Sequence, residues 1–340
     1  MKKLKNIISF ICVFSIFAML CTGCGNSSKQ SVSDKITVVC TMFSQYDWAK
    51  EIIGDNDNVE LILLGDTGID MHSFQPSADD IITISNCDVF IYVGGVSDAW
   101  VIDVLKQTQN KNMIAINMME VLGDNLKEEE LVEGMEEHVH EHSEENSGED
   151  EHSGEEHLDF ASYDEHVWLS IKNASLICDA IAESMCQVDV GNSEKYKNNL
   201  SEYKFKLDVL DTSYQTTVEE CSNDTILFGD RFPYIYLMKD YGIEYYAAFV
   251  GCSSDTEASF ETVAFLAGKV DELGISVVLI EKGSSQDLAK TIIDSTTTKD
   301  QSIMEMNSIQ SITKEQLDAG ETYISIMEDN LEVLKQALDY

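Results

Sequence analysis

The chain has 340 residues, which is enough for two ordinary domains with substantial cores. It carries 22 Lys and Arg against 62 Asp and Glu, and the resulting formal net charge of −40 at pH 7 argues against nucleic acid as a partner. The same charge disfavours adhesion to anionic lipid through protein charge alone, and it favours the attraction of cations.

The beginning of the chain has the pattern of a targeting segment. A lysine-rich start is followed by an apolar run over residues 7–20, which is too short for a stable membrane span. Small residues then lead to Cys24, as in bacterial lipoprotein signals, although Cys21 stands where leucine is usual. We expect residues 1–23 to be a signal peptide, Cys24 to carry a lipid, and residues 24–34 to be a flexible tether. A plain secretory signal is the alternative, and either signal places the mature protein outside the cytoplasm, in the first case anchored to the bacterial cell membrane.

After the tether, predicted strands alternate with predicted helices. Four short runs of β-branched or apolar residues predict strands at Lys35–Thr41, Val59–Leu64, Asp88–Val93 and Met113–Asn117. Three segments with helical periodicity lie between them, at Met42–Ile53, Pro76–Ser85 and Ala99–Thr108. Such alternation predicts crossover units and a parallel sheet. We therefore expect an N-terminal α/β lobe over residues 35–190.

An acidic, histidine-rich stretch interrupts this lobe at residues 128–160. Its composition cannot bury enough apolar surface to fold, so it predicts a surface loop. Five histidines alternate there with carboxylates: His138, His140, His142, His152 and His157. Neutral imidazole suits Zn, Cu or Ni far better than Ca or Mg, so the pattern predicts a metal-collecting loop. The alternative is a solvated acidic loop whose histidines are incidental.

The second half of the chain repeats the alternation behind a long helix. Helices are predicted at Ile171–Met185 and Ser193–Glu220, and the second of them makes residues 191–221 a linker helix. Four further strands are predicted at Thr225–Phe228, Glu244–Val250, Val277–Ile280 and Ser302–Met306. Four helices are predicted beside them, at Phe232–Tyr241, Phe260–Leu273, Asp287–Ser295 and Gly320–Asp339. We predict an α/β fold with two lobes, each a parallel four-stranded sheet flanked by helices, joined by a long rigid linker helix. The C-terminal lobe spans residues 222–340.

Six cysteines follow the predicted lipidation site, at Cys40, Cys87, Cys178, Cys186, Cys221 and Cys252. No CxxC pair occurs among them, which excludes a zinc ribbon. An oxidising compartment permits disulfides, but the spacing does not define a pairing. We expect buried free thiols.

Four possible metal ligands lie where predicted strands end, which is where open parallel sheets bind ligands. They are His72, His166, Asp230 and Glu281. Two imidazoles with one or two carboxylates suit a transition metal. Each residue also has a structural alternative. A histidine near a strand end is often only hydrogen-bonded, and Asp230 could pair with Arg231 or cap a helix beginning near Phe232. Glu281 could cap a helix or form a hydrogen bond that supports a ligand.

Several motifs carry a resemblance to a known family. They include MHSFQPSADD around His72, DVFIYVGGVSDAW, DEHVWLSIKNA around His166, and YISIMEDNLEVLKQAL near the C-terminus. With the histidine-rich loop, these segments resemble the metal-binding lipoproteins of bacterial ABC importers for zinc and manganese. The resemblance implies two parallel-sheet lobes, a rigid linker helix and one metal ion in the cleft.

The resemblance also implies the ligands. His72 and His166 match family ligands, and Asp230 in GDRFP falls near the third, which is usually His in zinc members and Glu in manganese members. The family's fourth ligand is an Asp, and Asn307 stands there, so an Asn carbonyl, Glu281 or a water would have to replace it. The loop and the imidazoles favour Zn²⁺, whereas the carboxylates favour manganese or iron, so a manganese- or iron-binding member of the same importer class is the alternative.

The resemblance implies a monomer that delivers zinc to an ABC permease and its membrane ATPase, and that has no enzymatic role. One rival interpretation is an extracellular zinc enzyme with two His, one Asp and an open position for water. The absence of an HExxH motif and of an obvious general base argues against it. Another is a surface adhesin, a role sometimes given to similar lipoproteins.

Overall fold

A computed structural model describes residues 35–64, 68, 70–136, 162–253 and 257–340 of the chain, and Ile36–Tyr340 form one compact unit. The predicted signal peptide, the lipidation site Cys24 and the tether lie outside the described residues. So do the five loop histidines His138, His140, His142, His152 and His157. Within the described ranges, no helix has the length and apolar composition needed to span a membrane.

The first sheet contains four parallel strands. They are β1 (Ile36–Cys40), β2 (Val59–Leu63), β3 (Val89–Tyr92) and β4 (Ile114–Asn117). Their order across the sheet is β2-β1-β3-β4, as crossover connections require. The central strand β3 is buried along its whole length, which is typical of a parallel sheet covered on both faces.

Within the described residues, five α-helices accompany this sheet. They are α1 (Phe43–Ile53), α2 (Ala78–Asn86), α3 (Val101–Lys106), α4 (Met118–Leu122) and α5 (Ile171–Val188). Helix α2 begins later than its predicted start at Pro76 because Ser77 forms a capping box with Asp80. The Ser77 hydroxyl accepts the Asp80 N–H at 3.2 Å, and the Asp80 carboxylate accepts the Ser77 N–H at 2.8 Å.

The second sheet repeats this arrangement. Its strands are β5 (Thr225–Phe232), β6 (Glu244–Val250), β7 (Val277–Glu281) and β8 (Ser302–Met306), and their order is β6-β5-β7-β8. After the long helix α6 (Ser193–Glu220), the remaining helices are α7 (Ile235–Tyr241), α8 (Phe260–Leu273), α9 (Asp287–Asp294), α10 (Lys314–Ala319) and α11 (Tyr323–Ala337). The predicted fold of two parallel four-stranded sheets with flanking helices and a long linker helix is confirmed.

The long helix α6 joins the two halves of the core. It has 28 residues, and at 1.5 Å per residue it is about 42 Å long. Tyr203, Leu207, Leu210 and Tyr214 recur at helical spacing and are buried. The helix packs against α1 and α5 and also against α11, where the Tyr214 hydroxyl donates to the carbonyl of Met327 at 2.6 Å.

Two predicted helix boundaries in the second lobe are wrong. The helix predicted from Phe232 begins at Ile235, because β5 continues through Phe232, which pairs with Val250 of β6. Pro233 then ends the strand, since it has no N–H to continue the ladder. Asp230 therefore lies within a strand, and the alternative that it caps a helix is wrong. The closing helix predicted to begin at Gly320 is present, but its predicted start is wrong. Helix α11 begins at Tyr323, behind a capping threonine.

All six cysteines that follow the tether are free in the described structure. Cys40, Cys87 and Cys178 are buried, as expected for structural thiols, and Cys186 and Cys221 are half-buried. Cys252 is exposed and does not fit the expectation of a buried thiol.

A buried carboxylate, Asp47 of α1, contributes to the contact between the two halves. Its Oδ2 accepts the N–H of Tyr323, the first residue of α11, at 2.8 Å. Burial raises the pKa of Asp47 from 3.8 to about 6, although this hydrogen bond opposes the rise. A folded-state pKa above the unfolded one means that the contribution of Asp47 to stability is complete below about pH 3.8 and is lost as the pH rises through about 6.

We therefore expect Asp47→Asn to stabilise the protein at pH 7. The amide keeps an acceptor for Tyr323 and removes the buried charge, so the free energy of unfolding should rise by up to about 3 kcal/mol at pH 7 and change little at pH 4. Urea unfolding at both pH values measures this. The exposed Asp55→Asn is the control and should change stability by less than about 0.5 kcal/mol. A loss of stability at pH 7 would contradict the prediction.

Candidate metal site

His72 lies beyond the end of β2, in a short 3-10 turn over Met71–Ser73. The carboxylate of Asp70 accepts the His72 backbone N–H at 2.9 Å and starts this turn. The ring Nδ1 lies 2.7 Å from the hydroxyl of Ser97, in the turn that follows β3. Because Ser97 occupies Nδ1, the Nε2 atom is the one left to face the cleft.

His166 is fully buried just before the 3-10 turn Val167–Leu169. Its Nδ1 lies 3.0 Å from Oδ1 of Asp164, and the same oxygen accepts the His166 backbone N–H at 2.8 Å. A carboxylate on Nδ1 fixes the ring orientation and favours the tautomer with a free Nε2, as is common for histidines that bind metals.

The two imidazoles meet through these free atoms. Nε2 of His72 lies 3.2 Å from Nε2 of His166, and the ring planes are inclined at 63°. Burial and the neighbouring His166 lower the pKa of His72 to about 4, which keeps that ring neutral. Burial by itself would lower the pKa of His166 as well, but Asp164, Glu165 and Glu281 raise it above the usual value. His166 is therefore the ring that is more readily protonated in the metal-free protein, and its Nε2 has to lose that proton before it can bind a metal.

The amide group of Gln310, which follows β8, also reaches this position and lies 2.9 Å from His166 Nε2. With the amide oxygen turned towards His166, the amide nitrogen donates to both carboxylate oxygens of Asp70, at 3.1 and 3.2 Å. This orientation satisfies both ends of the amide. Gln310, which follows β8 of the second sheet, thus contacts Asp70, which follows β2 of the first sheet.

Cys252 is the third potential ligand at the histidine pair. It follows the end of β6, and its Sγ and one ring nitrogen each of His72 and His166 all lie within 4.8 Å of one another. Although the residue is exposed, the loss of water around its sulfur raises the pKa of the thiol, and Asp164 and Glu165 raise it further. The sequence interpretation missed Cys252, although its place just after a strand could have marked it.

The other predicted ligands have different partners. Oδ2 of Asp230 accepts the N–H of Glu281 at 3.1 Å. The Glu281 carboxylate lies 2.7 Å from the Arg231 guanidinium and also accepts the Ser308 hydroxyl. Oδ1 of Asn307 accepts the Ile309 N–H at 2.9 Å. Among the residues that the structure describes, neither Asp230 nor Glu281 is grouped with the histidine pair, and the ligand roles of Asp230, Glu281 and Asn307 stay predictions.

Arg231 also crosses between the two lobes. Besides Glu281, its guanidinium faces Asp70, 3.7 Å away and two residues before His72. The ion-pair partners of Arg231 in the described structure are Glu281 of β7 and Asp70 after β2, and the alternative that Asp230 forms this ion pair is not observed there.

The two ends of the acidic segment meet next to the site. Glu128 and Tyr163 form an antiparallel bridge, the Glu129 N–H donates to the Ser162 carbonyl at 3.0 Å, and the Asp164 N–H donates to the Lys127 carbonyl at 2.9 Å. Residues 127–129 therefore lie beside residues 162–164, shortly before His166 in the chain.

The hydroxyl of Ser97 supports His72 without being a ligand itself, so its removal tests the geometry of the site. We expect Ser97→Ala to weaken zinc binding by roughly 10- to 100-fold, because the His72 ring loses the partner that orients it. A competition titration against a chelator of known affinity measures this. The exposed Ser295→Ala, remote from the site, is the control. Unchanged affinity in Ser97→Ala would show that Ser97 does not position His72.

The comparisons with known proteins agree with this architecture. The zinc-binding lipoprotein AdcA of Streptococcus pneumoniae is 30% identical over 339 residues, and the alignment covers 100% of this chain but 62% of AdcA. The high-affinity zinc uptake system protein ZnuA of Bacillus subtilis is 30% identical over 324 residues, with 94% of each chain covered. The chain thus spans less than two thirds of the length of its AdcA relatives.

Two solved structures share the fold closely. The Zn(II)-bound ZnuA-like domain of Streptococcus pneumoniae AdcA has a TM-score of 0.67 and 27% identity, with 90% of this chain and 100% of that domain covered. The metal-dependent lipoprotein YcdH of Bacillus subtilis has a TM-score of 0.70 and 26% identity, with 89% and 99% covered. The model of the family described as zinc-uptake complex component A, periplasmic, matches residues 38–337. The chain therefore belongs to the zinc-uptake complex component A family.

Proposed function

We propose that this chain is the extracytoplasmic zinc-binding component of an ABC importer and that it holds Zn²⁺ between its two lobes. The observation that carries this proposal is the convergence of the Nε2 atoms of His72 and His166, each with its Nδ1 already occupied. Two imidazoles that bind through Nε2 suit zinc far better than Ca²⁺ or Mg²⁺. Membership of a zinc-uptake family supports the same cargo, and we propose binding and release without a catalytic step.

The proposal favours zinc over manganese. Manganese prefers carboxylate and other oxygen ligands, and Glu281 and Asp230 are the nearest predicted sources of them. Glu281 is held by Arg231 and Ser308, and Asp230 accepts the N–H of Glu281. Neither carboxylate is grouped with the histidine pair in the described residues, so a ligand role for either would require the site to rearrange.

We propose that the acidic, histidine-rich segment collects zinc for the cleft. Its five histidines supply weak sites, and the net charge of −40 raises the local cation concentration. The position of its two ends beside Asp164 supports delivery to His166. The relatives are named as lipoproteins and periplasmic components, and we propose that a lipid on Cys24 anchors this chain at the cell membrane, next to the permease and its ATPase.

Release to the permease should involve modest motion of the lobes. The unbroken helix α6 contacts elements of both lobes, which favours local rearrangement over a wide hinge movement. The ion pair of Arg231 with Asp70 crosses the cleft near His72 and is one contact that such a rearrangement could break.

Zinc accumulation by whole cells tests this function. Cells that lack their own zinc-binding importer component would receive either this chain or the His72→Ala, His166→Ala double variant, in zinc-limited medium. We expect accumulation with the unmodified chain and background levels with the double variant, at equal amounts of protein. Equal accumulation with both proteins would exclude the cleft as the transport site. Manganese accumulation in the same cells tests the choice of cargo.

A further inference from the structure

We propose that Cys252 is a zinc ligand and completes a His72, His166, Cys252 site. This inference rests on the proposed function and names a ligand that the sequence interpretation did not include. Ligand atoms of these three residues lie within 4.8 Å of one another, and within the described part of the chain they form the only group of three or more His, Cys, Asp or Glu side chains that meets this limit.

Gly251, the residue before Cys252, packs closely against His166. A Cβ atom added to Gly251 would lie 2.9 Å from Cε1 of His166, 2.9 Å from Cα of Pro233 and 3.0 Å from the carbonyl of Phe232. Distances this short are rarely tolerated, so a residue with a side chain would push the turn away from His166. Glycine at this position lets the turn after β6 bring the Cys252 sulfur to the histidine pair.

The competing carboxylates Asp230 and Glu281 are not grouped with the histidine pair in the described residues. Asp230 accepts the N–H of Glu281, and the two oxygens of Glu281 contact Arg231 and Ser308. The Cys252 sulfur, in contrast, lies close enough to both rings to share one ion with them. Gln310, whose amide lies 2.9 Å from His166 Nε2, is a candidate for a fourth position.

A thiolate ligand would also select the metal. When the Cys252 sulfur binds the ion, its proton leaves to solvent and a sulfur–metal bond forms, with no change in oxidation state. Two imidazoles and one thiolate suit the tetrahedral preference of zinc, at a Zn–S distance of about 2.3 Å. Manganese gains little from a thiolate because it prefers oxygen ligands. A thiolate from Cys252 would therefore favour zinc over manganese, which carboxylate ligands would not do.

Cobalt(II) spectroscopy tests the proposal, because a thiolate bound to cobalt gives an intense near-ultraviolet charge-transfer band that imidazole and carboxylate do not. The full chain, kept reduced, would be titrated with Co²⁺ up to one equivalent, and zinc affinity would be measured by chelator competition. The variants are Cys252→Ser, the control Cys221→Ser, and the His72→Ala, His166→Ala double variant. Cys221 is half-buried and follows the end of α6.

We expect the band in the unmodified chain and in Cys221→Ser, and its loss in Cys252→Ser. Zinc affinity should fall by more than about a hundredfold in Cys252→Ser, since a direct ligand contributes more than a supporting residue. The role of Cys252 would be overturned if the unmodified chain showed no band and Cys252→Ser kept its zinc affinity. If the double histidine variant lost its affinity in the same experiment, the proposed function would still stand. Unchanged zinc affinity in the double histidine variant would overturn both the role of Cys252 and the proposed function.

Discussion

Replacing His166 with alanine should weaken zinc binding by more than about a hundredfold, since even residues that only orient a ligand change metal affinity by 10- to 100-fold. His166 is fully buried, and its Nε2 lies within reach of the Nε2 of His72. The substitution removes one of the converging donors and leaves the carboxylate of Asp164 without the ring that it orients. Among the described residues His72 is the other histidine, and it already belongs to the pair.

Competition against a chelator of known affinity measures this effect and excludes weak sites in the acidic segment. His140→Ala is the matched control, because it removes an imidazole from the predicted collecting loop and leaves the cleft unchanged. We expect the control to keep the affinity of the unmodified chain. Equal affinity in His166→Ala and the unmodified chain would mean that the buried pair is structural.

Replacing Trp168 with alanine should lower the free energy of unfolding by about 3–5 kcal/mol, the usual range for a fully buried tryptophan. The side chain is completely buried, and its Nε1 donates to the carbonyl of Ser308 at 2.8 Å. Its ring centroid lies 5.2 Å from that of His166. The substitution therefore removes a large apolar contact, a hydrogen bond between the lobes and the ring that packs beside His166 at the candidate site.

Urea unfolding of the metal-free protein measures the loss of stability. Trp100→Ala is the matched control: this ring is partly exposed and packs on Phe74 and Phe90 at the first sheet, away from the histidine pair. We expect the control to lose clearly less stability than Trp168→Ala and to keep its zinc affinity. If the two variants lost the same stability, Trp168 would not be the contact that holds the lobes together beside His166.

Elements with strong local signals were predictable from the sequence. Strands Glu244–Val250 and Ser302–Met306 and helix Phe260–Leu273 have the same boundaries in the structure as in the prediction. The prediction failed at Phe232, because the continuation of β5 depends on pairing with Val250, a contact that no local pattern encodes. The start of the last helix was missed although Thr322 and Ser325 form a capping box there, which is a local signal.

The candidate site was predictable only in part. The rule that ligands lie beyond strand ends selected His72 and His166, which the structure brings together. The rule does not say where a side chain points, because successive residues of a strand face opposite sides. The side chain of Asp230 meets the N–H of Glu281, and Arg231, the next residue, faces Glu281 and Asp70. Cys252 and Gln310 were missed because their proximity to His166 depends on how the second lobe packs against the first.

Metal content by mass spectrometry tests the central claim most directly. The chain and a variant with glutamine at all five loop histidine positions would be incubated with equal zinc and manganese and then washed with a weak chelator. We predict one retained zinc ion per chain in both proteins, because His72 and His166 form the tight site and the loop only collects. Loss of zinc from the glutamine variant, or retention of manganese in preference to zinc, would contradict this account.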